Sequence, residues 1–173
     1  LQDKQTRNRL RELGVDQKKL QVGGNLKYCV ESVSPAEFNK IRAKRVTWLE
    51  LQTETFVIIG VSTHAQEEAV LLESVIWLRQ QHPKKAIHLI LVPRDITRSS
   101  EIARLSERYH LRPSFFSEGV QKDSDVYILD VMGKMCAYLP WADCAFIGGS
   151  WIDVGGHNPL EAIKMRVSVL TGK

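Results

Sequence analysis

Phe56-Val-Ile-Ile-Gly-Val61, then Glu67 to Gln81, then Ile87-His-Leu-Ile-Leu-Val92, is the stretch that decides how this chain folds. The outer segments are apolar without alternation, as expected of strands covered on both faces. The middle segment places Val70, Leu71, Ser74 and Leu78 on one helical face and stops before Pro83. Two buried strands joined through a helix form a parallel pair.

The same alternation extends in both directions. Residues 2 to 13 read as a short polar helix stopped by Gly14, and residues 19 to 22 as a strand ending at Gly23-Gly24. Ser34-Pro35-Ala36-Glu37 is a capping box with proline in the first turn, predicting a helix from Pro35 towards Leu49. Beyond Val92 the pattern predicts a serine-capped helix over 99–110, strands at 114–116 and 126–129, and a helix opening at Gly133 and fading near Pro140-Trp141. Strands at 144–147 and 167–170 follow, with a helix from Pro159 to about Lys164 between them. The expectation is one doubly wound α/β domain with about seven strands in a parallel sheet, covered on both sides.

The chain has 173 residues, 43% of them apolar, enough for a proper core. Its +4 charge is mildly basic and suits a phosphorylated ligand, nucleic acid or an anionic membrane surface without choosing among them. Lys40, Arg42, Lys44 and Arg45 read as part of a solvated helix face. Cys29, Cys136 and Cys144 lack C-x-x-C spacing, which argues against a disulfide framework or a zinc site, and no carboxylate cluster or H-x-x-x-H points to a metal. There is no signal peptide and no apolar stretch of membrane-spanning length, and both ends look cut from something longer.

In open parallel sheets ligands bind beyond the carboxyl ends of the strands, so the turns there are the candidate sites. Gly24-Asn25-Leu26-Lys27 can place an ammonium against a phosphate. Ser62, Thr63 and His64 offer hydroxyl and imidazole groups at a helix entrance, where Ser62 or Thr63 would more ordinarily be a cap. Pro93-Arg94-Asp95 puts a guanidinium after a buried strand, free to hold phosphate oxygens unless Asp95 pairs with it. Asp130-Val131-Met132-Gly133-Lys134 can expose amides at a helix start, with Met132 otherwise a core residue. In Gly155-Gly-His-Asn-Pro-Leu-Glu161, Asn158 can cap a helix, Pro159 suits its first turn, and Glu161 is suited to accept hydrogen bonds from ribose hydroxyls. No P-loop, simple dinucleotide fingerprint or G-x-S-x-G elbow is present.

Gly24-Asn-Leu-Lys27, Ser62-Thr-His64 with Glu67-Glu68, Val92-Pro-Arg94, Asp130 with Met132-Gly133, Phe146-Ile-Gly-Gly-Ser150 and Gly155 to Glu161 together closely resemble the 3-deoxy-D-manno-octulosonic acid (Kdo) transferases of lipopolysaccharide synthesis. The resemblance runs in order along nearly the whole chain. It implies a GT-B glycosyltransferase with two Rossmann-like domains, of which residues 1–173 look like the C-terminal, CMP-Kdo-binding one. The N-terminal acceptor domain, which carries the family's catalytic glutamate and membrane-associating surface, is then absent. It further implies a metal-independent inverting transfer from CMP-Kdo to a lipid A precursor at the cytoplasmic face of the inner membrane, with no cofactor and no nucleic-acid partner, and a fragment inactive by itself.

By position, the resemblance places donor contacts at Pro93, Arg94, Met132, Gly133, Lys134, Asn158, Pro159, Leu160 and Glu161, and a transition-state-stabilising charge at Lys27. This chain has Asp95 and Lys134 where the family usually has histidine and commonly glutamate; a backbone contact at Lys134 survives that change. Two other readings stay open from the residues: a GT-B enzyme using a UDP-sugar, and a non-enzymatic domain that binds anionic ligands through its basic helices.

Overall fold

The computed structural model describes residues 1–25, 32–49, 51, 54–119, 121 and 123–172. Two compact units emerge, Leu1–Ser32 and Val33–Lys173. The first holds helix α1 (Lys4–Glu12), capped by Asp3, whose side chain accepts the Thr6 amide. The strand expected at 19–22 is not formed. Asp16 instead accepts the Lys18 amide and starts a single 3-10 turn over Gln17–Lys19, and backbone bonds run from Gly23 to Leu1 and from the Leu1 amine to Gln21. Apolar Leu20 and Val22 have strand-like spacing but pair with no strand among the described residues.

The second unit is the doubly wound domain. Helix α2 (Pro35–Trp48) opens as its capping box requires, with Ser34 accepting the Glu37 amide at 3.2 Å. Then come β1 (Phe56–Thr63), α3 (Glu67–Gln81), β2 (Ile87–Pro93), α4 (Ser99–Arg108), β3 (Pro113–Phe115) and β4 (Val126–Ile128). Helix α5 (Met135–Tyr138), β5 (Cys144–Ile147), α6 (Leu160–Lys164) and β6 (Ser168–Leu170) complete it. Among the described residues six strands, all parallel, run in the order β3-β4-β2-β1-β5-β6. The helix expected from Gly133 starts two residues later because Gly133 adopts φ +76°, outside helical space. Ser99 does not cap α4; its hydroxyl donates back to the Ile96 carbonyl.

Alternation along β1 builds two cores. Val57, Ile59 and Val61 pack with Ile90, Leu129, Tyr138 and Trp141 on one face, while Ile58 packs with Leu72, Val75, Leu89, Ile102 and Phe146 on the other. Gly60 lies on the α3 side, where an added Cβ would come within 2.7 Å of Leu71 Cδ1, so its lack of a side chain lets the helix seat.

The basic stretch on α2 departs from the solvated face expected of it. Arg45 is buried and donates to the carbonyls of Trp141 and Thr55 and to Asp143, which also accepts from Arg42 and from the Val57 amide. Two of the four cations therefore tie α2 to the amino ends of β1 and β5, and only Lys40 and Lys44 remain exposed.

His88 on β2 is 2% exposed and its Nε2 has no partner. Burial, reinforced by the charge of Arg79 and opposed by Asp125, lowers its pKa to about 4. The folded state thus holds the ring neutral where the unfolded chain, titrating near 6.5, takes up a proton. Stability should be constant above about pH 6.5 and fall by about 3 kcal/mol as pH drops towards 4. Urea unfolding across that range should show this slope, and His88→Leu should flatten it; an unchanged slope in the variant would refute the assignment.

Candidate functional site

The strand order reverses at β1: β2, β4 and β3 lie to one side, β5 and β6 to the other. A crevice forms at such a reversal because the connections after the two central strands leave in opposite directions. Here those connections approach closely. The register of β1 shifts between Val61 and Thr63, and Ser62 adopts φ +54°, a left-handed conformation costly for a residue with a side chain. Its carbonyl is turned against Gly148, where a Cβ would lie 2.2 Å from the Ser62 oxygen. Only glycine fits there.

Glu67, 1% exposed at the start of α3, joins the two connections. One carboxylate oxygen accepts the His64 amide at 3.1 Å and the Gly149 amide at 2.9 Å; the other accepts the Trp151 amide at 3.2 Å. Neither Ser62 nor Thr63 caps α3. Thr63 donates instead to Glu68, fully buried and gripped by Arg98 through bonds of 3.0 and 2.9 Å. Those bonds to Glu68, with others to Glu101, push the Arg98 pKa up.

Around this frame lies a cavity of about 220 Å³ lined by residues at and beyond the ends of β1, β2 and β4 and by α5 and α6. Ser62, Pro93, Arg94, Met132, Gly133 and Glu161 all face it, with Val92, Ile96 and Met135 supplying apolar wall. Six of the residues singled out in the sequence are thereby brought together. Arg94 is exposed and forms no ion pair among the described residues; Asp95 turns away to accept the amide and hydroxyl of Thr97, which lower its pKa. Met132, expected as a core residue in the plainer reading, is 71% exposed. Helix α6 opens at Leu160, one residue later than expected: Pro159 is its N-cap residue, Asn158 accepts the Leu160 amide at 3.1 Å from the turn before it, and Glu161 is the second helical residue. Asn158, Pro159 and Leu160 thus support the helix but do not line the cavity, and Lys134 is exposed outside it. The Cys136 thiol is pushed up by burial and then by the Glu161 charge. Lys27 lies outside the described residues.

A second, more open recess of about 610 Å³ adjoins the turn after β1, lined by Thr63, His64, Gln66, Asp95, Arg98 and Trp151 among others. His64, which lines it, also meets His157, Nε2 to Nε2 at 2.8 Å. Sequence reasoning gave His157, Glu67 and Arg98 no role. Glu67 and His157 do stand inside motifs quoted for the family resemblance, and that was the one signal in the sequence that could have marked them.

Glu67→Gln should lose at least one of the three backbone acceptor bonds, because its amide nitrogen would face an N–H. The expected cost is about 1–3 kcal/mol in urea unfolding, with altered emission from Trp151, whose amide is one of the three donors. Unchanged stability and emission would show that the frame does not depend on this carboxylate.

No family model matches the chain. Over 99% of its length it is 32% identical to a 3-deoxy-D-manno-octulosonic acid transferase of Haemophilus influenzae, and over 99% it is 33% identical to that of Chlamydophila psittaci. It spans 39% and 38% of those two relatives, so the curated proteins it matches are more than twice as long. Among solved structures, the C-terminal CMP-Kdo binding domain of WaaA from Acinetobacter baumannii superposes with a TM-score of 0.65. That match is 26% identical and covers 79% of this chain and 70% of the other. Sequence along the whole chain and fold over most of it agree: the chain is a homologue of the Kdo transferases and has the Rossmann-like GT-B fold of the C-terminal CMP-Kdo binding domain of WaaA.

Proposed function

We propose that this chain is the donor-binding domain of a glycosyltransferase that moves Kdo from CMP-Kdo to a lipid A precursor. The observation that carries the reading is the cavity itself, in which an unpaired guanidinium and a carboxylate flank an apolar wall at the sheet's reversal point. A nucleoside monophosphate has matching parts: an anionic end, a ribose with vicinal hydroxyls, and a flat base. Arg94 holds the phosphate, Glu161 accepts from the ribose hydroxyls, and Pro93, Met132 and Gly133 line the pocket for the base. Lys134 directly follows Gly133 and offers its backbone amide to the ligand, and Asn158, Pro159 and Leu160 lead into the helix that presents Glu161. The wall side chains are apolar and suit stacking, which leaves the edge of the base to the backbone amide and carbonyl groups of Met132, Gly133 and Lys134.

The transfer is taken to be inverting and independent of metal, with prepositioned cations matching the charge that develops on the departing phosphate. Arg94 is one of them, and the family resemblance gives Lys27 the same duty. The base that activates the acceptor, the contact with lipid A precursor and the association with the cytoplasmic face of the inner membrane are assigned to an N-terminal domain. By this reading residues 1–173 bind donor without transferring sugar. None of the helices among the described residues is long and apolar enough to cross a membrane.

Calorimetry tests the proposal. CMP should bind, UMP should compete more weakly, and Arg94→Ala and Glu161→Ala should each weaken CMP about tenfold or more, the loss expected for a hydrogen bond to a charged group. Absence of CMP binding, or binding indifferent to both substitutions, would overturn it.

A further inference from the structure

The His64–His157 contact has a geometry that restricts its protons. The ring planes are within 8° of parallel and the centroids are 5.1 Å apart, wider than the 2.8 Å nitrogen separation by about one ring's breadth. The imidazoles therefore meet edge to edge in nearly one plane, as an N–H···N bond requires, and do not stack face to face. One Nε2 must carry the bridging proton and the other must be bare. The ring with the bare Nε2 has its proton on Nδ1, and the donor ring, when neutral, has a bare Nδ1. The pair can add one proton there and keep its bridge. A second added proton would set two N–H groups against each other.

Both rings are held by the frame already described. The His64 amide is bound by Glu67, the His157 amide donates to the Gly148 carbonyl at 3.0 Å, and the His157 ring packs on Gly149, where a Cβ would lie 3.1 Å from its Cδ2. The charges bearing on His157 are Arg94 beyond β2, His64 itself and, with opposite sign, Glu67. Asp95, Arg98 and Asp153 share the recess that His64 lines. Burial first, then His64 and Arg94, lower the His157 pKa, so this ring resists protonation more than a free imidazole does while the site is empty.

We propose that His64 and His157 act as one unit that takes up a single proton when a phosphate monoester binds beside Arg94, making the pair a counter-cation to the departing nucleotide. The inference rests on the donor-site reading above. When the glycosidic C–O bond breaks, its electron pair stays on the phosphate oxygen, and a singly charged phosphodiester becomes a monoester with one more negative charge. One proton on the histidine pair balances that one charge. The acceptor hydroxyl's own proton leaves through the base assigned to the other domain and is not involved.

Two measurements test this on the chain as it stands. In the first, CMP is titrated at about pH 7.5, above the ordinary imidazole range, in buffers of different ionisation enthalpy. Uptake approaching one proton per CMP is expected, with none for cytidine, and His64→Gln or His157→Gln should abolish it while weakening CMP several-fold. CMP binding without uptake, or uptake that survives both substitutions, overturns the proposal and leaves the donor site standing. In the second, imidazole carbon and proton shifts are followed in the ligand-free chain from alkaline to mildly acidic pH. The pair should gain one proton in a first step, well separated from the second; two independent, ordinary titrations overturn the pairing whether or not CMP binds.

Discussion

Everything at the carboxyl edge of this sheet depends on the Glu67 carboxylate. It is buried, it belongs to a helix on one side of the reversal point, and it accepts amide protons from connections on both sides. Without it, the turns after β1 and β5 would each present unpaired backbone donors to a crevice that water only partly reaches, at a cost of about 1–3 kcal/mol for each group left unmade. With it, the Ser62 carbonyl and Gly148 are pressed together, and the strained φ at Ser62 is over-determined by its neighbours. The cavity that holds Arg94 and Glu161 is the space left beside that seam, and the two histidines are the side chains projecting above it.

A second buried acid has a different task. Glu68 takes Thr63 from the end of β1 and both guanidinium nitrogens of Arg98 from the connection after β2, so adjacent acids on one helix turn brace neighbouring strand ends. Asp143 does the same at the opposite edge with Arg42, Arg45 and the Val57 amide. Removing one partner of such a group leaves the other desolvated and unmatched, which makes these pairs rigid fixtures even where their net contribution to stability is small.

The fold was readable where burial acts on both faces of a segment. Phe56 to Val61 and Ile87 to Val92 are apolar at successive positions, and no helix competes for runs that short. Residues 19–22 misled because two apolar side chains at alternate positions imitate a strand, whereas pairing depends on a partner that local sequence does not reveal. Capping chemistry was local and therefore legible at Ser34, whereas at the last helix Pro159 takes the cap position and Asn158 bonds the Leu160 amide from before it. At the site, much of the cavity lining was recognisable because it lies in the connections that leave the carboxyl ends of strands. The His64–His157 bond was not, because its members are 93 positions apart and meet only once β1 and β5 lie side by side. Arg42 and Arg45 illustrate the converse: in sequence they match Lys40 and Lys44, yet at three-residue spacing they share the helix face turned towards Asp143.

That separation bears on how a mildly basic chain is to be understood. Net charge counts Arg45, Arg98 and Arg94 alike, but the first two have carboxylates and carbonyls filling their hydrogen-bonding positions. Arg94 alone of these three sits exposed at a cavity without an ion pair among the described residues. A cation already matched offers a ligand little, since binding would first have to break the internal pair. An unmatched one, fixed by a backbone bond from its amide to the Thr63 carbonyl at 2.9 Å, needs no such rearrangement. The same distinction sets Glu161 apart from Glu67 and Glu68, and the histidine pair, with one bond satisfied and one proton position open, falls between the two classes. The site is marked less by which charged residues the chain contains than by which of them the fold leaves unfinished.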